Sequence, residues 1–274
     1  MSPVLRKRLT QGRLQDVACE AESLEQAADS EPGGVYTVSN TQRGQRVLHL
    51  DAHLDRLKDS ARREGFLVKL ERGRLRMALR SMLEEAGYQE MRFRLNVPRL
   101  APDEVLITIE PWRTLPSSLY FQGVRCVTVA GLTRHNPRAK GSAWLQQRHH
   151  FKLPPDCYEA LMLAADGTLL EGLSSNFHAV LSGELRTAGS GVLAGITRGV
   201  VLQLAPQILP VRLSGVRLDD LPALEEAFLS SSSRGLLPVA WIDGQVIGSG
   251  RPGPLTHALS EAFERYVERH LEAL

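Results

Sequence analysis

The segment Glu171-Gly172-Leu173-Ser174-Ser175-Asn176-Phe177 joins two apolar strand signals across a polar turn. Upstream, Leu161 to Ala165 and Thr168-Leu169-Leu170 flank Asp166-Gly167, a tight-turn pair, and downstream Phe177 to Leu181 continues the apolar pattern. Glu171 therefore sits just past an apolar strand and beside Gly172, which on its own is the place of a turn glutamate. Further out, Val124 to Val129 reads as another strand. Thr197 can cap a helix carrying Val200, Val201 and Leu204, and the chain closes with an amphipathic helix through Leu255, Leu259, Phe263, Val267 and Leu271.

Toward the N-terminus the polar start reads as loose. Gly33 to Val38 and Arg46 to Leu50 read as a hairpin around Asn40-Thr41-Gln42-Arg43-Gly44. Asp51 can cap a helix with the stripe Leu54, Leu57 and Ala61, ended by Gly65, and a second helix carries Leu75, Leu79, Met82 and Leu83 up to Gly87. Met91, Phe93, Leu95 and Val97 alternate with Arg92, Arg94 and Asn96, and Val105, Ile107 and Ile109 repeat the period of half-buried strands. The composition shifts at Pro111 to Ser118, where a linker is expected, giving lobes of about residues 1–113 and 119–274.

The 274 residues suit two modest lobes, and 43% hydrophobic with 23% charged content is that of an ordinary globular protein. Lys and Arg number 33 against 31 Asp and Glu, a formal charge of +2 that suggests neither a nucleic-acid nor a membrane surface. Cys19, Cys126 and Cys157 are too few and too far apart for a disulfide scaffold or a Cys/His metal cluster. With no apolar run of bilayer length and no secretory leader pattern, a reducing cytoplasm is the expected compartment.

Several separated segments together resemble the class IV aminotransferases, the fold-type IV family of pyridoxal-phosphate enzymes that includes branched-chain aminotransferases, D-amino acid aminotransferases and aminodeoxychorismate lyase. The segments are His53-Leu54-Asp55-Arg56-Leu57, Asn136-Pro137-Arg138-Ala139-Lys140, Glu171 to Phe177, Gly195-Ile196-Thr197-Arg198, Phe228 to Pro238, Ile242-Asp243-Gly244 and Gly250 to Pro254. Their order and spacing over roughly residues 33–270 carry the resemblance. It implies an α/β (α+β) fold of two lobes, a small N-terminal α/β lobe and a larger C-terminal one, and pyridoxal 5'-phosphate as cofactor. It makes Lys140 the Schiff-base lysine and proton shuttle, and Glu171 the carboxylate facing the pyridine nitrogen. Ile196 and Thr197 at a helix start, Arg56, and Ser232 are then the phosphate cradle.

Arg94, with Arg92 and Arg99 as alternatives, is the candidate for the substrate carboxylate, as are the loop amides of Ser232 and Ser233. Tyr36-Thr37 resembles the aromatic-threonine pair of the lyases, which makes Tyr36 a substrate contact and Thr37 an aid to proton transfer. Two departures from the family pattern stand out. Ser30-Glu31-Pro32-Gly33-Gly34 replaces a tyrosine-glycine-aspartate-glycine string, and no tyrosine follows Lys140 where Trp144 lies. The segments Arg134 to Lys152 and Leu115 to Gly123 are candidates to line the pocket. Transfer of an amino group between an amino acid and a 2-oxo acid is the leading reading. Release of pyruvate to give 4-aminobenzoate and a non-catalytic binding relative are the alternatives. The resemblance also implies a homodimer acting on small molecules.

Overall fold

The computed structural model describes residues 3–274; the first two residues of the expected first lobe lie outside it. The chain forms two compact units. One is the chain up to Arg113 with Arg138–His150 and Arg269–Leu274, the other Thr114–Pro137 with Phe151–Glu268.

In the first unit seven strands lie in the order Leu271–Ala273, Arg46–Leu48, Gly34–Gln42, Met91–Pro98, Glu104–Pro111, Leu5–Thr10 and Arg13–Asp16, each antiparallel to its neighbours. The period of two sorts their side chains. Val35, Phe93, Leu95, Val97, Val105, Ile107 and Ile109 form a core with Leu54, Leu57 and Ala61 of the helix Leu50–Arg63 and Leu75, Leu79 and Met82 of the helix Arg72–Ala86. Tyr36, Arg92, Arg94, Asn96, Thr108 and Arg6 occupy the alternate positions. The short helix Leu24–Ala27 is tied to them: Arg6 Nη2 donates to the Ala27 carbonyl at 2.6 Å, and Arg92 pairs with Glu25 at 2.7 Å.

The expectation of a loose N-terminus is corrected here, because Leu5 and Leu9 reach the core while Arg6 takes the polar face, so the segment forms two strands. The hairpin strand also runs on through Asn40–Gln42, and the turn falls at Arg43 and Gly44, both with positive φ. The helix expected to be capped by Asp51 instead starts at Leu50 after His49, whose φ is 50°. Wholly buried Leu50 draws the first turn into the core, and Asp51 pairs with Arg72 and Arg76 at 3.2 and 3.0 Å.

The second unit carries a nine-stranded sheet. Its path runs Val211–Arg212, Glu184–Arg186, Asn176–Leu181, Glu226–Ser231, Gly235–Ile242, Val124–Val129, Glu159–Leu163 and Leu169–Gly172, with Gln245–Val246 beside Gly235–Ile242. Pairing of Glu171 with Asn176 brings the end of this path back onto its third strand. Leu161, Phe177, Ala179, Leu229, Leu237 and Val239 fill the core. The helix Ile196–Leu204 has Gly195 rather than Thr197 as its N-cap, so Thr197 lies inside the first turn. The helix Pro254–His270 buries Leu259, Phe263 and Val267, and its Leu255 and Thr256 amides donate to Glu226 at 3.0 and 2.6 Å.

Among the described residues no helix is long and apolar enough to cross a membrane, and no cluster of His, Cys, Asp or Glu could hold a metal ion.

His178 is fully buried, stacked on Phe228 at 4.7 Å and hydrogen-bonded through Nε2 to Ser230 Oγ at 2.9 Å. Burial, with a smaller contribution from the Arg198 charge, lowers its pKa from 6.5 to about 3. The folded chain thus leaves His178 neutral where the unfolded chain protonates it. Its contribution to stability is complete above pH 6.5 and is lost progressively as pH falls toward 3. In His178→Phe, urea unfolding followed across this window is expected to show a pH slope shallower by up to about 1.4 kcal/mol per pH unit. An unchanged slope would contradict the neutral buried imidazole.

Candidate active site

In the first unit the backbone of Lys140 is fastened on both sides. Its amide donates to Ser60 Oγ at 3.0 Å, and its carbonyl accepts the Tyr36 amide at 2.9 Å. The next residues continue the clamp, because the Ser142 amide donates to the Gly34 carbonyl and the Gly34 amide to Ser142 Oγ, both at 2.8 Å. Gly34 is required there, since a side chain would strike the Val97 carbonyl. Lys140 Nζ stands 4.7 Å from the Tyr36 ring centroid, and the Arg94 guanidinium stands 5.7 Å from the same ring.

His53, Arg56 and Ser60 form one stripe of the helix Leu50–Arg63, spaced by three and four residues. Arg56 Nη2 donates to Thr37 Oγ1 at 3.0 Å, His53 Nδ1 lies 2.8 Å from the same oxygen, and Ser60 Oγ donates to the Arg56 carbonyl at 2.7 Å. Complete burial, together with the Arg56 and Lys140 charges, holds the His53 pKa well below the ordinary imidazole range, so the ring is neutral.

The three arginines weighed for the substrate carboxylate differ in their surroundings. Arg94 is 1% exposed, with Nη1 3.4 Å from Glu31 Oε1, which also accepts Thr108 Oγ1 at 2.9 Å. Arg92 is paired with Glu25 and Glu110, and Arg99 is an outer residue lying over Phe66 and beside Glu64. Arg94 Nε and the Tyr36 hydroxyl are buried with no hydrogen-bond partner, as is Arg92 Nε. Trp144 is buried in the short helix Ala143–His149.

In the second unit Glu171 is 1% exposed. Its Oε1 accepts Arg134 Nε at 2.8 Å, and its Oε2 accepts Asn176 Nδ2 at 2.9 Å and the Leu193 amide at 3.1 Å. A carboxylate surrounded by donors is an acceptor, fixed in direction and suited to face a cationic N–H. Gly172 lets the turn close beside it, since a Cβ there would lie 2.5 Å from Ser175 Oγ and 2.8 Å from Glu159 Cγ.

Thr197 Oγ1 is buried without a partner in the first turn of the helix Ile196–Leu204, whose leading amides have no acceptor within the helix. Ser232 and Ser233 lie in the turn between Glu226–Ser231 and Gly235–Ile242. That turn is pinned rather than loose: Arg234 donates to Ser231 Oγ at 2.8 Å and to the Ser174 carbonyl at 2.9 Å.

The sequence placed Arg134 only at the edge of a segment expected to line the pocket, and gave Glu31 and the Asn176 amide no role at the site. Asn176 carried a signal through its motif, whereas Arg134 meets Glu171 from 37 positions away.

A family model described as "Amino-transferase class IV" matches residues 34–242. The chain is 27% identical over 258 residues to a branched-chain-amino-acid aminotransferase of Pseudomonas aeruginosa, covering 85% of this chain and 83% of that one. It is also 27% identical over 278 residues to a D-alanine aminotransferase of Bacillus licheniformis, covering 95% and 97%. In fold it matches a branched-chain amino acid aminotransferase of T.th. solved with pyridoxamine 5'-phosphate, with a TM-score of 0.81 at 22% identity and 98% coverage of both chains. Neither aminodeoxychorismate lyase nor a non-catalytic relative is favoured by these matches. The departures at Ser30–Gly34 and Trp144 notwithstanding, the chain belongs to the class IV aminotransferases, enzymes that use pyridoxal 5'-phosphate.

Proposed function

We propose that this aminotransferase moves an amino group between an amino acid and a 2-oxo acid with Lys140 as the amine that carries the cofactor, acting as a homodimer in the cytoplasm. The observation that supports it most directly is the double fastening of the Lys140 backbone, by Ser60 and Tyr36, within the matched family segment. The residues present suit the cofactor. The buried, unpartnered Thr197 hydroxyl at a helix N-terminus suits a phosphate, and the donor-held Glu171 carboxylate suits a protonated ring nitrogen.

When bound, pyridoxal phosphate supplies the electron sink that lets an amino acid release its α-proton. Lys140 Nζ takes that proton and returns it, while the clamp at its carbonyl and amide keeps the side chain rooted at one place. Arg134 and Asn176 hold Glu171 in one orientation. Arg56, Ile196, Thr197 and Ser232 serve the phosphate. Tyr36 and Arg94, whose buried polar atoms lack partners, and Ser233 serve the substrate carboxylate. Thr37 enters through Arg56, to which its hydroxyl is bonded.

Incubation of the enzyme with cofactor, an amino-acid pool and 2-oxo acids, followed by mass spectrometry, is expected to show new amino acids formed from the oxo acids; none formed from any pool would defeat the proposal. In Lys140→Ala, borohydride is expected to trap no cofactor on the protein, and turnover should fall by about 10²–10⁴-fold. Trapping at a different lysine would reassign the role. Glu171→Gln is expected to keep cofactor affinity within a few-fold while kcat falls on the order of 10²-fold, and unchanged kcat would remove Glu171 from the ring nitrogen.

A further inference from the structure

Thr37 Oγ1 is wholly buried and has two neighbours, Arg56 Nη2 at 3.0 Å and His53 Nδ1 at 2.8 Å. The guanidinium can only donate, so Thr37 Oγ1 accepts from it. The hydroxyl carries one proton, and the remaining neighbour within reach is Nδ1. Were Nδ1 protonated, Thr37 Oγ1 would face two donors and its own proton would be buried with no acceptor, an arrangement costly for a wholly buried hydroxyl. This economy of bonds favours the Nε2–H tautomer, accepting at Nδ1. Burial and the Arg56 and Lys140 charges keep the ring neutral, which this chain of bonds requires.

We propose that His53 is a positioning residue: by accepting the hydrogen bond of the Thr37 hydroxyl at Nδ1 it turns the Thr37 oxygen's lone pair toward Arg56, and so sets that guanidinium for the cofactor phosphate. Donation runs from the charged guanidinium to the hydroxyl to the neutral ring. Each link is intramolecular and inside one compact unit, so Arg56 is held by the chain's own bonds rather than ordered at the cost of binding energy. The proposal rests on the reading of Arg56 as a phosphate ligand. It adds that the specificity for a phosphorylated over an unphosphorylated cofactor is set partly by a histidine that touches neither.

The test compares pyridoxal phosphate with pyridoxal, which has the same ring and aldehyde but no phosphate, by fluorescence titration of the cofactor-free enzyme. His53→Phe is expected to weaken pyridoxal phosphate about tenfold to a hundredfold while pyridoxal changes by no more than about threefold. His53→Asn, whose Oδ1 can replace Nδ1 as acceptor, is expected to recover most of the lost affinity. Thr37→Val removes the same link without touching the imidazole and is expected to show the same selective loss, whereas Thr37→Ser retains it. Equal weakening of both ligands in His53→Phe and Thr37→Val would reduce His53 to a packing residue and overturn the proposal, as would no change in either.

A wild-type enzyme that binds neither ligand would remove the cofactor reading itself, and the proposal with it. A wild-type preference for the phosphate that survives in all variants would remove the proposal alone. Nitrogen-15 spectra of the histidine rings supply a readout independent of any ligand: a protonated Nε2 and bare Nδ1 at His53 are expected, and the reverse tautomer would refute the chain of bonds.

Discussion

The second unit depends on the burial of one carboxylate. Glu171 lies at the end of the strand Leu169–Gly172, and its backbone pairs with Asn176 where the sheet path returns onto itself. The same two residues meet again through their side chains at 2.9 Å. A polar group so deeply buried is tolerable only when its lone pairs are met. Closure of the sheet, the approach of the Leu193 amide and the reach of Arg134 are therefore parts of one requirement. Gly172 belongs to it as well, because a side chain at that turn would displace Glu159 and Ser175 and with them the local path of the chain.

A similar constraint shapes the sheet of the first unit. One face meets the two helices through aliphatic side chains, while the other places charged and hydroxyl groups where water is scarce. Arg6 answers this by bonding to Ser30 and the Ala27 carbonyl, Arg92 by pairing with Glu25 and Glu110, and Thr108 by donating to Glu31. Glu25 illustrates the balance. Burial favours its neutral form, yet the Arg92 charge and hydrogen bonds prevail and bring its pKa down to about 2. The short helix Leu24–Ala27 supplies partners from a segment whose composition alone gave no hint of structure.

Much of this was legible because it repeats locally. The alternation through Met91–Val97 and Val105–Ile109, the aliphatic stripe on the helix Leu50–Arg63 and the Asp166-Gly167 turn each follow from period or turn chemistry within a few residues. The family segments pointed to Lys140, Glu171 and Arg56 for the same reason, being short and ordered. Long-range pairings lay beyond that reach. Nothing near Arg134 signals its bond to Glu171, and the grouping of Arg138–His150 with the first unit follows from the bridge of Val35 to Gly141, far apart in the chain. Cap positions shifted for a different reason: at Leu50 and at Gly195, burial and backbone conformation outweighed the side-chain preferences of Asp51 and Thr197.

The helix Leu50–Arg63 shows how a few residues couple packing to chemistry. Leu50, Leu54, Leu57 and Ala61 fix its rotation against the sheet by filling the core. Because a helix turns about 100° per residue, that choice also fixes where His53, Arg56 and Ser60 emerge. Ser60 reaches the Lys140 amide, while His53 and Arg56 reach Thr37. One rigid body thus sets the root of the lysine and the aim of the arginine together, and neither can drift without strain in a close-packed core. Sequence spacing of three and four residues is enough to link His53, Arg56 and Ser60 along one stripe of the helix.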